Sequence, residues 1–185
     1  MTLDWTTLTD GELAVLSIAG RDRAFAELMT RYRQPVFRLI RASVREPEEA
    51  LDLTQETFIS AHLALARFDP ERPMRAWLFA IAINKCRDWG RKRFVRRLLN
   101  RGGDLGTEAH QVPDGGALAD DIASDRQDLE RVSRKIAGLP ANLRETLILR
   151  TIEGLSQAET AAILAISEKA VETRLSRARL KLLGS

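Results

Sequence analysis

A chain of 185 residues with 44% hydrophobic content is long and apolar enough to bury a core without metals or disulfides, in one large or two small domains. Its single cysteine, Cys86, excludes an internal disulfide and any paired-cysteine knuckle, and His62 and His110 have no ligand-spaced partners, so neither a metal nor another cofactor is expected. The net charge is only +3, but it is segregated into a basic stretch, an acidic stretch and a basic end, which points to two contacts on a polyanion.

Thr9 and Glu12 have capping-box spacing and predict a short helix over residues 10–19, ended by Gly20. A second helical pattern covers residues 22–44, with Ala24, Phe25, Leu28, Tyr32, Val36, Leu39 and Ile40 apolar; Pro35 within it predicts a kink or a fresh start. Pro47, followed by Glu48 and Glu49, opens a third helix to about residue 66, read on a stripe of Leu51, Phe58, Ile59, Leu63 and Leu65. Phe68, Asp69 and Pro70 break it.

The next stretch, residues 73–97, organises the rest. Its first half is apolar at helical spacing through Trp77, Leu78, Ile81 and Ala82. Its second half carries Lys85, Arg87, Arg91, Lys92, Arg93, Arg96 and Arg97 against Asp88 alone. Aromatics Trp77, Phe79, Trp89 and Phe94 are interleaved. Two readings stand: a helix with a solvated basic face, or a cationic rod whose charges neutralise phosphates and whose rings stack on bases. Lys85 and Arg87 flank Cys86 and favour its thiolate, against the plainer reading of a thiol with no further role.

Over residues 98–124 helical periodicity gives way to glycines and acids, including Gly102, Gly103, Asp104, Asp114, Gly115, Gly116, Asp120 and Asp121; this reads as a linker between units with no fixed mutual orientation, the alternative being an ordered surface loop of more than usual length. Helical pattern returns near Asp125, first on Leu129, Val132, Ile136 and Leu139, then, past Pro140, on Leu143, Leu147 and Ile148, with Gly154 at a C-cap. Ser156 and Glu159 repeat the capping box, and Ser167 caps a final basic helix. Two helices joined by so short a turn make a helix-turn-helix. Val171, Leu175, Ala178 and Leu182 are placed inward and Lys169, Glu172, Thr173, Ser176 and Arg177 outward, toward a DNA major groove; the alternative is a helical hairpin with a solvated face. The fold class is all-α: residues 1–97, a linker over 98–124, and a helix-turn-helix unit over 125–185. No apolar run reaches bilayer length, and MTLDWTTLTDGE lacks the features of a secretory signal, so a soluble, reduced, cytoplasmic protein without direct membrane insertion is expected.

Four stretches, AFAELMTRYRQPVFRLIR, DLTQETFISAHLALARFDP, RPMRAWLFAIAINKCRDWGRKR and LPANLRETLILRTIEGLSQAETAAILAISEKAVETRLSRARLKL, together resemble the bacterial extracytoplasmic-function (ECF) sigma factors, the small two-domain initiation subunits of RNA polymerase. The resemblance implies partners: core RNA polymerase (β′ clamp helices and β flap), promoter DNA and an anti-sigma factor. It implies that Asp52, Gln55 and Glu56, with Ile59 on the same face, meet the clamp helices. It implies that residues 69–75 and the helix after them open and read the −10 element, through Asp69, Arg72, Arg75, Asn84, Lys85, Arg87, Arg91 and Arg93, with Asn84 beside a pocket for an extruded base. The last helix is matched to the −35 element through Lys169, Glu172, Thr173, Arg174, Ser176 and Arg177; Glu172 departs from the arginine of many relatives and leaves the preferred −35 sequence open. No nucleophile, base and orienter cluster is present, so no enzymatic activity is expected. Two alternatives remain: a sigma mimic that titrates an anti-sigma factor, and a stand-alone helix-turn-helix regulator.

Overall fold

The computed structural model describes residues 3–44, 46–101, 131–132 and 134–184, and among them it is helical throughout, with no strand. Helix α1, Asp10–Ile18, begins at the expected capping box: the Thr9 N–H donates to the Glu12 carboxylate at 2.7 Å, and the Glu12 N–H to Thr9 Oγ1 at 3.3 Å. Gly20, at φ +83°, turns the chain into α2, Asp22–Ser43. Arg31 ties the N-terminal segment down: it donates to Asp10, Glu27 and the carbonyls of Trp5 and Thr6 at 2.9–3.1 Å, and Tyr32 donates to Asp10.

Helix α2 runs through Pro35 without a fresh start. Ala24 and Leu28 before the proline, and Val36, Leu39 and Ile40 after it, are buried together. Packing of that common face outweighs the one backbone bond that Pro35 removes.

Helix α3, Pro47–Ala64, starts on Pro47 as expected and ends in a 3-10 turn, Leu65–Arg67. Its inner face differs from the expected stripe. Ala50, Leu53, Thr54, Thr57, Phe58 and Ala61 are buried, whereas Leu51, Ile59 and Leu63 are exposed. The core here takes small residues and threonines whose hydroxyls are satisfied locally: Thr54 donates to the Ala50 carbonyl and Thr57 to that of Leu53, both at 2.7 Å. The expected stripe is therefore right at Phe58 and Leu65 and wrong at Leu51, Ile59 and Leu63.

Helix α4, Met74–Arg101, buries Met74, Leu78, Phe79, Ala82 and Ile83 and then projects, with Phe94, Val95, Leu98 and Leu99 exposed. Its 28 residues correspond to about 42 Å of helix. It extends four residues into the expected linker. The rest of that linker, and Leu129, lie outside the described residues.

Helix α5, residues 131–132 and 134–138, leads through Pro140 into α6, Ala141–Leu147. Helix α6 continues into a π turn, Ile148–Ile152, closed by a bond from the Glu153 N–H to the Ile148 carbonyl at 3.0 Å. Gly154, at φ +66°, then reverses the chain. Helices α7, Gln157–Leu164, and α8, Glu168–Leu183, form the helix-turn-helix with both expected caps; Ala165, at φ 54°, makes the turn between them.

The second unit has a small core of its own, Leu139, Leu143, Leu147 and Ala178, flanked by Ile136, Leu175 and Leu182. Its π turn and α7 do not stay within it. Ile148, Leu149, Leu155, Ile163 and Leu164 join the core of α1–α4. The two units are thus docked, where the glycine- and acid-rich connector suggested no fixed orientation. The π turn contributes to the docking, since Ile148 and Leu149 at its start sit in that shared core.

Candidate functional site

Three surfaces carry the side chains that the sequence singles out. On the outer side of α3, Asp52, Gln55, Glu56 and Ile59 are all solvent-exposed. Three- and four-residue spacing sets them on one face. Beside them an open groove of about 480 Å³ runs between α2 and α3, lined by Phe25, Met29, Phe58, Ile59, His62 and Leu63, with Asp22 and Gln55. Ile59 is 60% and Leu63 80% exposed. The His62 ring meets Phe25 edge-on, with centroids 4.6 Å apart. The surface is a carboxylate row next to an apolar trough. Phe25, Met29, His62 and Leu63 were not assigned to it from sequence, although the expected α3 stripe already contained Leu63.

The second surface is α4 and the loop before it. Asp69 accepts from the Glu71 N–H at 3.1 Å and lies 3.4 Å from Arg72, and both remain exposed. Arg75 turns inward: its guanidinium sits 5.0 Å from the Phe79 ring centre and donates to the Glu153 carboxylate at 2.7 Å. Asn84 is exposed, its Oδ1 accepting from Arg87 at 3.4 Å. Arg75 and Asn84 are nine positions apart, which on a helix means about 14 Å of rise and roughly opposite sides, so they do not converge on one pocket. Lys85 Nζ lies 3.6 Å from Glu56 and links this surface to the first.

Arg87 grips Glu145 with two bonds, Nε to Oε1 at 2.9 Å and Nη2 to Oε2 at 2.6 Å. Those bonds hold its guanidinium pKa above the usual value against the opposing effect of burial. Arg91 pairs with Asp88, and Arg93 with Glu46 while stacking over Trp89, whose indole N–H donates to Glu49 at 2.8 Å. Trp77 is half-buried against Phe68, 5.0 Å between ring centres, and belongs to the core, not to a stacking platform. Cys86 corrects the thiolate reading: burial pushes its thiol up to about 12, outweighing the hydrogen bond with Ser43 and the charge of Arg144. Lys85 and Arg87 aim elsewhere.

The third surface is α8. Lys169, Glu172, Thr173, Ser176 and Arg177 are exposed, as the spacing predicts, and Thr173 Oγ1 donates to the Lys169 carbonyl at 2.9 Å. Arg174 is different. It is half-buried and lines a cleft between the units with Cys86, Arg87, Phe94, Asn142 and Glu145. Among the described residues no group of three or more His, Cys, Asp or Glu side chains is placed to hold a metal, and no helix is long and apolar enough to cross a membrane.

Residues 28–95 match the family Sigma-70 region 2, and residues 129–182 match Sigma-70, region 4. The RNA polymerase sigma factor CnrH of Cupriavidus metallidurans is 39% identical over 178 residues, covering 94% of this chain and 92% of its own. The chain belongs to the ECF sigma factors of the sigma-70 family. ECF sigma factor SigW of Bacillus subtilis is 31% identical over 163 residues, 86% of this chain and 87% of its own. Among solved structures, CnrH in complex with the cytosolic domain of CnrY superposes with a TM-score of 0.68 at 35% identity, over 95% of both chains. RpoE in complex with the anti-sigma factor NepR from Bartonella quintana gives 0.67 at 25% identity, over 85% of this chain and 93% of that one. The region 2 match covers most of α2, all of α3 and most of α4, and the region 4 match covers α5, α6, α7 and nearly all of α8, so the three candidate surfaces, apart from Asp22 and Phe25 beside the trough, fall inside a matched region.

Proposed function

We propose that this ECF sigma factor binds core RNA polymerase through the outer face of α3, places α8 in the major groove of a −35 element, and uses α4 to hold an opened −10 strand. The observation that carries this reading is the coexistence, on one chain, of an exposed acidic and apolar α3 face and an exposed basic α8 face. A stand-alone helix-turn-helix regulator needs only the second of these. Asp52, Gln55 and Glu56 supply carboxylate and amide acceptors for a basic partner helix, and Ile59 and Leu63 supply the apolar anchors that the adjoining trough extends.

In the duplex, phosphate contacts fix register and base-edge contacts fix sequence. On α8, Lys169 and Arg177 suit phosphates, while Thr173, Ser176 and Glu172 reach base edges; a carboxylate at 172 accepts from the cytosine amino group. Reading a −10 base requires its extrusion from the stack. Asn84 offers an amide to that base, and Arg87, Arg91 and Arg93 follow the strand. The protein acts by binding alone, in the cytoplasm, and catalysis remains with the polymerase. RpoE was solved with the anti-sigma factor NepR, and CnrH with the cytosolic domain of CnrY, which supports an anti-sigma factor for this chain too, seated over the same α3 face.

The decisive experiment is transcription in vitro with purified core polymerase and promoter fragments drawn from a library. Core-dependent, promoter-specific transcripts are expected. DNA binding without core, or core binding without transcripts, would favour the regulator or the titrating mimic instead.

A further inference from the structure

The contacts between the two units fall on the same arginines that the proposed function assigns to the promoter. Glu145 is 5% exposed at its side chain and both its oxygens are taken by Arg87. The Glu153 side chain is fully buried. Its Oε2 takes Arg75 at 2.7 Å, its backbone carbonyl takes the same guanidinium at 3.0 Å, and its Oε1 lies 3.7 Å from Arg38 Nε. The partners are 58 and 78 residues apart in sequence and always on opposite units. Carboxylates this deep persist only beside a cation, and here the cation comes from the other unit each time. Arg87 also reaches Asn84, so one contact engages both the base-reading amide and the nearest phosphate-binding arginine.

Such an arrangement cannot read a promoter. The −10 and −35 elements lie about 25 base pairs apart, ~85 Å of duplex, whereas a compact chain of this length has a radius of gyration of about 16 Å. Opening must therefore precede promoter engagement. Only half of the DNA-reading surface is covered in the docked form, because the outer face of α8 stays open while Arg75, Asn84 and Arg87 on α4 are engaged.

We infer that Glu145 and Glu153 are internal phosphate mimics that latch the two units together, so that the free protein masks its own −10 surface until the units are pulled apart. This rests on the proposed promoter role, but the latch itself is measurable without polymerase. The pairing is charge-assisted and partly solvent-screened, so it competes with a polyanion on the same terms that phosphates do.

The test uses the full chain carrying Glu145→Gln and Glu153→Gln, which preserve shape and remove charge. Small-angle scattering of the free protein should show the radius of gyration rising well above the compact value, and affinity for a fluorescein-labelled 20-nucleotide single-stranded DNA should increase about tenfold at low salt. A variant that stays compact overturns the latch; one that opens without gaining DNA affinity overturns the masking. Glu145→Arg, with and without Arg87→Glu, guards against misfolding: the single change should open the protein and the charge swap should close it again, and a swap that stays open also refutes the pairing. Transcription with core polymerase, run in parallel, reports separately on the promoter role, because loss of transcripts with an intact opening response would sink the proposed function and leave the latch standing.

Discussion

Replacing Ile59 with serine should weaken core polymerase binding while leaving the fold untouched. Full burial of an isoleucine side chain stabilises by about 1.5–3 kcal/mol. Ile59 is 60% exposed in the free protein, so a partner helix that covers it completely gains roughly 1–2 kcal/mol from that residue. The serine variant should accordingly bind core about 5–30-fold more weakly. Leu63, 80% exposed, should contribute slightly more. The two are one turn apart on α3, so their combined effect need not be additive. Stability should shift by no more than about 0.5 kcal/mol, as for other surface substitutions. Phe58 provides the internal contrast: only 4% exposed on the same helix, its replacement by alanine should destabilise the fold by about 3–5 kcal/mol. Fluorescence anisotropy of labelled protein titrated with core, beside thermal melts followed by circular dichroism, separates the two effects. Unchanged core affinity in an Ile59→Ser, Leu63→Ser protein of native helicity would refute the assignment of this face.

Glu172→Arg should change the preferred −35 sequence, since a cytosine acceptor becomes a guanine donor, whereas Arg177→Ala should weaken all sequences alike; selection from randomised promoters returning one motif for Glu172→Arg and the parent would remove Glu172 from base reading. Asn84→Ala should reduce permanganate reactivity of −10 thymines on duplex promoters and recover partly on templates already unpaired there; equal reactivity on duplex would exclude Asn84 from melting. Cys86 should resist iodoacetamide in the native protein at pH 8, because burial raises its thiol to about 12, and rapid alkylation without unfolding would contradict that burial. Its linkage runs with pH as follows: above about 9 the unfolded chain releases the thiol proton while the native chain keeps it, so the stability that Cys86 contributes is present below pH 9 and falls as pH rises toward 12. The melting-temperature gap between the parent and Cys86→Ser should therefore narrow between pH 9 and 11.

What could be read in advance depended on how local its cause was. Both capping boxes, the Pro47 start and the Ser167 cap were legible because each is settled within four residues. The inward and outward residues of α8 followed from spacing alone. Helix α3 was legible only in part, for a physical reason: beside Leu53 and Phe58 its core face is built from Ala50, Thr54, Thr57 and Ala61, and back-bonded threonines are invisible to a search for bulky apolar residues. The same error concealed a finding, because large apolar side chains left outside a helix mark a docking face. The π turn was illegible, since one extra residue in a helix leaves no compositional trace, yet Ile148 and Leu149 at its start sit in the shared core.

The basic stretch of α4 shows where pattern reading ends. The arginines of its basic run are close in sequence but meet three different environments: Arg87 is clasped by Glu145, Arg91 by its own-helix neighbour Asp88, and Arg93 by Glu46 over Trp89; Arg75, at the start of the same helix, meets a fourth in the buried Glu153. A charge run predicts affinity for phosphate but not which charges are free to provide it. Own-helix pairs such as Arg91–Asp88 are exposed and weak, and a phosphate displaces them at little cost. The pairs with Glu145 and Glu153 are buried, and separating them leaves carboxylates that must be resolvated. Along a single helix, then, the salt dependence of DNA binding should have two components: one from Arg91 and its exposed neighbours, available at once, and one from Arg75 and Arg87, available only when the two units part.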